Sequence, residues 1–390
     1  MPDIPEIVIH RHMEPIEARW RQLETLDINS LHQGFDWCRA WIEAYKRPIM
    51  IVEGRSKDRT LFILPLEIVR GKLFTKAQFI GGDHSNINTA LVSDDFIHEA
   101  DDRMMAAIAS QIRSKVSGAD CIVLGNMPAV WRGLTLPFSR LPSVENQNHA
   151  FALEIKPTFV ETLAQLNAKR RRKKYSVGHR RLEALGGYRH SIAETADEKR
   201  QMLDLFYKQK GLRLEQSGLP NVFSCPKTRK FFHSLAQLPQ SEGRFALKLH
   251  YLEMTGGDHK GSIPAIAGLS RKGDHVIVQF CSIGEDALLS ASPGELLFHL
   301  MIEDYNSRNI KLFDFGIGDM PFKRSWCNIE TIQINVALPL TSLGRLAVLK
   351  EEAATRLKST IKQNPALYGF LQKIRSRNSH GRTEETEDAD

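Results

Sequence analysis

Residues 292–326, SPGELLFHLMIEDYNSRNIKLFDFGIGDMPFKRSW, hold the side chains best spaced to bind an anion and move a proton. Asp314 lies on a short aromatic stretch, 311–315, that reads as a strand. Phe313 and Phe315 share one face, Leu312 and Asp314 the other. A carboxylate there is costly unless it is paired or solvated at the strand end. Gly316 and Gly318 free the backbone as the strand ends, and Lys323 and Arg324 bring positive charge back. Two readings stand side by side. Asp314 or Asp319 relays a proton while Lys323 steadies a developing anion, or Asp314 merely pins the turn through an ion pair to Lys323 or Arg324.

The first half of the stretch reads as a helix with an anion-ready start. Ser292 is placed as the N-cap, Pro293 at the first helical position and Glu295 three residues after the cap, which predicts a capping box. Gly294 leaves the first turn bare, so a phosphate can approach the backbone amides. Leu296, Leu297, Leu300, Met301 and Tyr305 fall on one face, which places the helix on a core.

These residues need elements to position them, and the element order repeats. The second half reads as a strand over 188–193, helices over 197–213 and 227–238, three strands over 244–254, 263–271 and 275–282, the helix from 292, the strand from 311, a short helix over 320–326 and a last strand over 330–338. The first half follows suit. Strands are expected over 6–10, 49–53, 61–69, 73–80 and 121–124, with helices over 15–26, 35–45 and 100–117. Residues 343–371 carry helical periodicity.

The chain of 390 residues has room for two or three domains and the composition of a globular protein. It shows no apolar run of membrane-spanning length and no signal peptide at its start. Cys38, Cys121, Cys225, Cys281 and Cys327 are scattered, without CxxC spacing, so neither zinc nor a disulfide framework is expected, and the reading is cytoplasmic. The net charge of +7 is local. KRRRKK at Lys169 to Lys174, with Arg180 and Arg181, holds eight of the 53 basic residues and no acid, leaving 45 against 46 acidic ones. Such a run grips phosphates or an anionic membrane face, or it is a solvated helix face. Without interleaved aromatics, nucleic acid is not the expected partner.

Several stretches resemble the GNAT acyltransferase superfamily, in particular its CelD-like branch, associated with cellulose and exopolysaccharide synthesis. They are RRRKKYSVGHRRLEALGG, KQKGLRLEQSGLPNVFSCPKTRKFF, SPGELL and DFGIGDMPFKRSW, and weakly, in the first 150 residues, LPLEIVRGKL and IGGDHSNINTALV. Phe322 and Lys323 before a large aromatic are also similar to the Fem-type aminoacyl transferases, which take amino acids from tRNA.

The resemblance implies an α/β (α+β) fold of tandem GNAT-like domains, each a mixed, mostly antiparallel sheet flanked by helices. It places a degenerate first domain at 1–155 and the acyltransferase domain at 156–342, with a basic connecting helix over 158–186. A helical extension over 343–375 packs on the second domain, and 376–390 is a disordered acidic tail. The implied activity is N- or O-acyl transfer, acetyl transfer foremost, from acetyl-CoA or another acyl-CoA to a polysaccharide precursor, sugar or amine, without metal. The alternatives are a Fem-like aminoacyl-tRNA-dependent transferase and a noncatalytic subunit of a polysaccharide-synthesis complex. Ser292, Pro293, Gly294 and Glu295 become donor-site positions, Asp314, Asp319 and Lys323 catalytic candidates, and Arg213, Asn221 and Trp326 acceptor contacts. Lys169 to Lys174 would touch a membrane or the synthesis machinery. The sequence departs from the family twice: the usual phosphate loop, Arg or Gln before GxG/A, is missing, and Phe322 stands where many members place a proton-donating tyrosine.

Overall fold

The computed structural model describes residues 4–284 and 286–363. Within them the chain divides into two compact units, one of residues 4–151, 316–319 and 330–360, the other of residues 152–284, 286–315, 320–329 and 361–363.

The chain begins with β1 (Glu6–His10), α1 (Glu17–Glu24) and α2 (Phe35–Tyr45). A three-strand meander follows, β2 (Ile49–Ser56), β3 (Arg59–Arg70) and β4 (Thr75–Phe79). Next come β5 (Leu91–Val92), α3 (Asp94–Glu99), α4 (Asp102–Lys115), β6 (Cys121–Pro128), the hairpin β7 (Val130–Trp131) and β8 (Leu134–Thr135), and β9 (Ser143–Glu145). β10 (Ala150–Glu154) leads into α5 (Phe159–Ala164), α6 (Ala168–Ala184), β11 (Tyr188–Ile192), α7 (Ala196–Gln216) and α8 (Pro226–Gln237). A second meander of β12 (Arg244–Met254), β13 (Ala265–Lys272) and β14 (His275–Ile283) precedes α9 (Pro293–Asn306), β15 (Leu312–Ile317) and α10 (Pro321–Trp326). The described chain closes with β16 (Ile329–Thr331), β17 (Gln333–Pro339) and α11 (Ser342–Gln363).

One sheet runs β1-β2-β3-β4-β6-β17-β9, with β5 beside β3, and the other β11-β12-β13-β14-β15-β10-β16. The meanders are antiparallel, and each ends on a parallel step, β4 to β6 and β14 to β15. The mixed sheets flanked by helices are the fold class expected from sequence.

The core of the second unit lies between its sheet and α9. Leu252, Ala267, Val276 and Phe313 meet Leu296, Leu297, Met301 and Tyr305 there, all buried. Burying a large apolar side chain contributes about 1.5–3 kcal/mol, so the stripe on α9 sets its seat. Gly268 is required in β13 because a Cβ would lie 2.5 Å from the Phe280 ring.

Three expectations are corrected. The last strand does not complete the second unit: β17 pairs with β6 and β9, Val336 opposite Leu124 and Leu338 opposite Ile122. Alternation identifies a strand and its buried face but not the sheet that receives it. The helix after it packs on the first unit instead of the second, with Ala347 and Val348 against Cys121. The basic connecting helix is two helices, because the side chain of Asn167 accepts from Arg170 N and starts α6 anew. The acidic tail and the end of the extension lie outside the described residues.

Candidate active site at the start of α9

β14 and β15 are paired only from His275–Leu312 to Ile277–Asp314. Beyond that point β14 runs on to Ile283, and Cys281, Ser282 and Ile283 line a cavity of about 420 Å³. Ile266 and Ala267 of β13, Leu297 and Phe298 of α9, Phe322 and the exposed Met320 make it largely apolar. Gln209, Lys210 and Arg213 of α7 supply polar groups. Ser282 Oγ donates to Gln209 Oε1 at 2.7 Å, and Gln209 Nε2 donates to the Ile263 carbonyl at 2.8 Å, fixing that wall.

Ser292, Pro293, Gly294 and Glu295 all line this cavity, but the capping box does not form. Ser292 is left-handed, φ 51°, and its side chain caps nothing. The N–H groups of Glu295 and Leu296 go to the Ser292 carbonyl, and Pro293 has none. The first turn thus offers a ligand chiefly the Gly294 amide. The Glu295 carboxylate turns to Arg171 Nη1 at 2.7 Å, Lys174 Nζ at 2.8 Å and Trp326 Nε1 at 3.1 Å. Arg171 explains the choice: its side chain is 1% exposed, and a buried guanidinium needs a carboxylate more than a helix start does. Burial pulls its pKa down, opposed by Glu295.

The KRRRKK run is therefore not a uniform solvated face. Arg171 points inward over the Trp326 ring, 4.6 Å from its centroid. Arg170, Lys173 and Lys174 line a second cleft of about 200 Å³ with Gly178, Ser290, Ala291 and Ser292. Ser292 lines both spaces, so the cleft opens beside the cavity. Gly178 permits the approach, since a Cβ there would lie 2.7 Å from the Ala291 carbonyl oxygen, and Arg181 donates to the Ser290 carbonyl.

Of the three catalytic candidates, none lines the cavity. Asp314 is fully buried, with His275 Nε2 3.2 Å from its Oδ2. Lys323 is 7% exposed, and burial lowers its pKa while Asp314 pulls the other way. Lys323 follows the lining Phe322 in sequence but does not itself line the cavity. Asp319 is exposed and belongs to the first unit.

The three acceptor candidates separate. Arg213 faces the cavity. Asn221 shapes its own turn, its Oδ1 accepting from Phe223 N at 3.0 Å. Trp326, 1% exposed, is wall rather than contact. Sequence reasoning missed Gln209 and Lys210, although their spacing to Arg213 on one helix would have pointed to them. It also missed Cys281 and Ser282, at the end of an otherwise unremarkable apolar strand.

Residues 169–324 match the family model described as acetyltransferase (GNAT) domain. Domain and fold together support an acyltransferase. No curated protein sequence matches the chain. Among solved structures the chain is similar to FemX, at TM-score 0.60 and 10% identity, over 88% of this chain and 99% of that one. It is similar to L-PGS from Bacillus licheniformis at TM-score 0.50 and 10% identity, over 92% and 99%. A tandem GNAT protein from the clavulanic acid biosynthesis pathway aligns at TM-score 0.43 and 10% identity, over 85% and 99%. Among the described residues no cluster of metal-ligating side chains occurs, and no helix is long and apolar enough to cross a membrane.

Proposed function

We propose that the second unit transfers an acyl group from an acyl-coenzyme A donor to an amine or hydroxyl. The observation that carries this reading is the apolar cavity where β14 and β15 part, joined at Ser292 to a cleft walled by Arg170, Lys173 and Lys174. The donor's phosphates would sit in the cleft against Arg170 and Lys173, reaching the Gly294 amide where cleft and cavity meet at Ser292, and its acyl thioester arm would lie in the cavity. In this chain the basic helix does the work that the missing phosphate loop does elsewhere in the superfamily.

The acceptor's lone pair attacks the thioester carbonyl carbon, the carbon–sulfur bond breaks, and the thiolate leaves. Phe322 gives no proton, so the acceptor's proton passes to water, with Asp314 reached only through water. Lys323 steadies the oxyanion, and Asp314 holds its charge in place. Catalysis of this kind rests mainly on positioning.

We propose further that the acceptor belongs to envelope or exopolysaccharide metabolism, on the CelD-like stretches named above. A second reading uses the same basic cleft for the phosphates of an aminoacyl-tRNA, with the likeness to FemX in its favour; tRNA affinity falling steeply with salt would support it. A noncatalytic role is the third, motivated by Phe322. Thiol release from acetyl-coenzyme A, followed with a panel of amino sugars, separates them. The acyltransferase reading predicts acceptor-dependent release that Arg170→Ala with Lys173→Ala weakens through the donor KM. No release with any acceptor and no donor binding would sink it.

A further inference from the structure

A second groove, of about 270 Å³, continues from the donor cavity: Gln209, Arg213 and Ile283 line both. Lys208, Gln209, Leu212 and Arg213 fall on one face of α7, and His259 and Ser262 face them from the turn after β12. No acidic side chain is among the described residues that line this groove. Nor do Lys208 and Arg213 form an ion pair with any acid among the described residues. Of the four acids of α7, Asp197 pairs with Arg200, Glu198 caps the helix start and Asp204 pairs with His233, while Glu215 is exposed and does not line the groove.

Resting on the acyl-transfer reading for the identity of the neighbouring cavity, we infer that the acceptor carries a phosphate group, and that Lys208 and Arg213 hold it in this groove. Two cations on adjacent turns repel each other until an anion lies between them, and a guanidinium with an ammonium suits a phosphate oxygen pair. Ser262 and His259 can donate to the remaining oxygens. Leu212 and Leu288 offer an apolar flank to a sugar ring or to the first carbons of a lipid. The shared chemistry is a phosphate beside the nucleophile, whether it belongs to a soluble sugar phosphate or to a lipid headgroup.

The test uses the full chain. Calorimetric titrations with glucosamine 6-phosphate and with glucosamine, each with and without coenzyme A, are set beside sedimentation with phosphatidylglycerol and phosphatidylcholine vesicles. The expected result is binding of the sugar phosphate or of the anionic vesicles, but not of their neutral counterparts. That binding should weaken with salt and fall about tenfold in Lys208→Ala with Arg213→Ala. Both residues are exposed, so the variant should fold. Binding of the sugar phosphate alone assigns a soluble acceptor, and binding of the anionic vesicles alone assigns a lipid headgroup. Absence of binding by both phosphate probes, or equal binding of charged and neutral probes, overturns the inference. Failure of coenzyme A itself to bind counts against the donor reading, while the phosphate comparison still decides this one.

Discussion

The helices that follow the two meanders start in opposite ways. α4 begins behind Asp101, whose carboxylate accepts from Met104 N at 2.7 Å, with Asp102 next in line. α9 begins behind a left-handed Ser292 that caps nothing, with Pro293 and Gly294 in its first turn and a basic cleft alongside. A helix start that already holds its own carboxylates repels a foreign anion, and one left open beside cations attracts it. The two meanders are thus followed by one start capped by the chain's own acids and one whose first-turn acid, Glu295, is taken up by Arg171 and Lys174 beside the basic cleft. The difference lies in a handful of residues, not in topology.

The contrast can be broken at several points. The largest effect is expected at Glu295, which joins Arg171, Lys174 and Trp326. Glu295→Gln leaves the Arg171 guanidinium buried without its carboxylate and should cost about 3 kcal/mol of stability, read from denaturant unfolding. A stability within experimental scatter of the parent would mean that this network does not fix the start of α9.

Lys323→Met should lower kcat about a hundredfold while leaving coenzyme A affinity close to the parent's. The parent's activity should fall on the alkaline side at a pH below the ordinary lysine value of 10.5, because burial lowers the Lys323 pKa, and the variant should lack that limb. An unchanged kcat removes Lys323 from the reaction. Asp314→Asn should reduce kcat as well, through the loss of the charge that holds Lys323.

In the first unit, Asp101→Ala should cost about 1 kcal/mol as a lost cap and leave acyl transfer untouched. A loss of donor binding there would place the donor at the wrong helix.

The smallest effect concerns His299, pushed down to about 4 by burial and by Arg171. It stays neutral when folded but gains a proton below its ordinary value of 6.5 when unfolded. Its contribution to stability is therefore full above that value, declines as pH falls from 6.5 towards 4, and does not change further below. His299→Gln should flatten unfolding curves within that window, and identical slopes in parent and variant would refute the assignment.

How much of this was legible in the sequence depended on whether the governing interaction was local. Pro293, the apolar stripe on α9, the aromatic strand and the glycines after it all act within a few residues, and each produced the expected element. The capping box failed because Glu295 answers to Arg171, 124 residues away. β17 read correctly as a strand and was assigned to the wrong sheet, since its partners β6 and β9 are set by long-range pairing. The basic run showed its charge but not its division into an inward Arg171 and the cations around a cleft. Lys208, Gln209 and Lys210 open one of the stretches that carry the family resemblance, but the cavity at the end of the β14–β15 pairing and the groove beside it were needed to show what they face.

Calorimetric titration of the parent chain and of Gly294→Asp with coenzyme A bears most directly on the claim that the open start of α9 holds the donor. The substitution gives α9 the kind of acid that closes α4. The account predicts one site per chain in the parent and affinity about a hundredfold weaker in the variant, as a carboxylate meets the donor's phosphates. Equal affinity in the two, or a parent that does not bind coenzyme A, would contradict it.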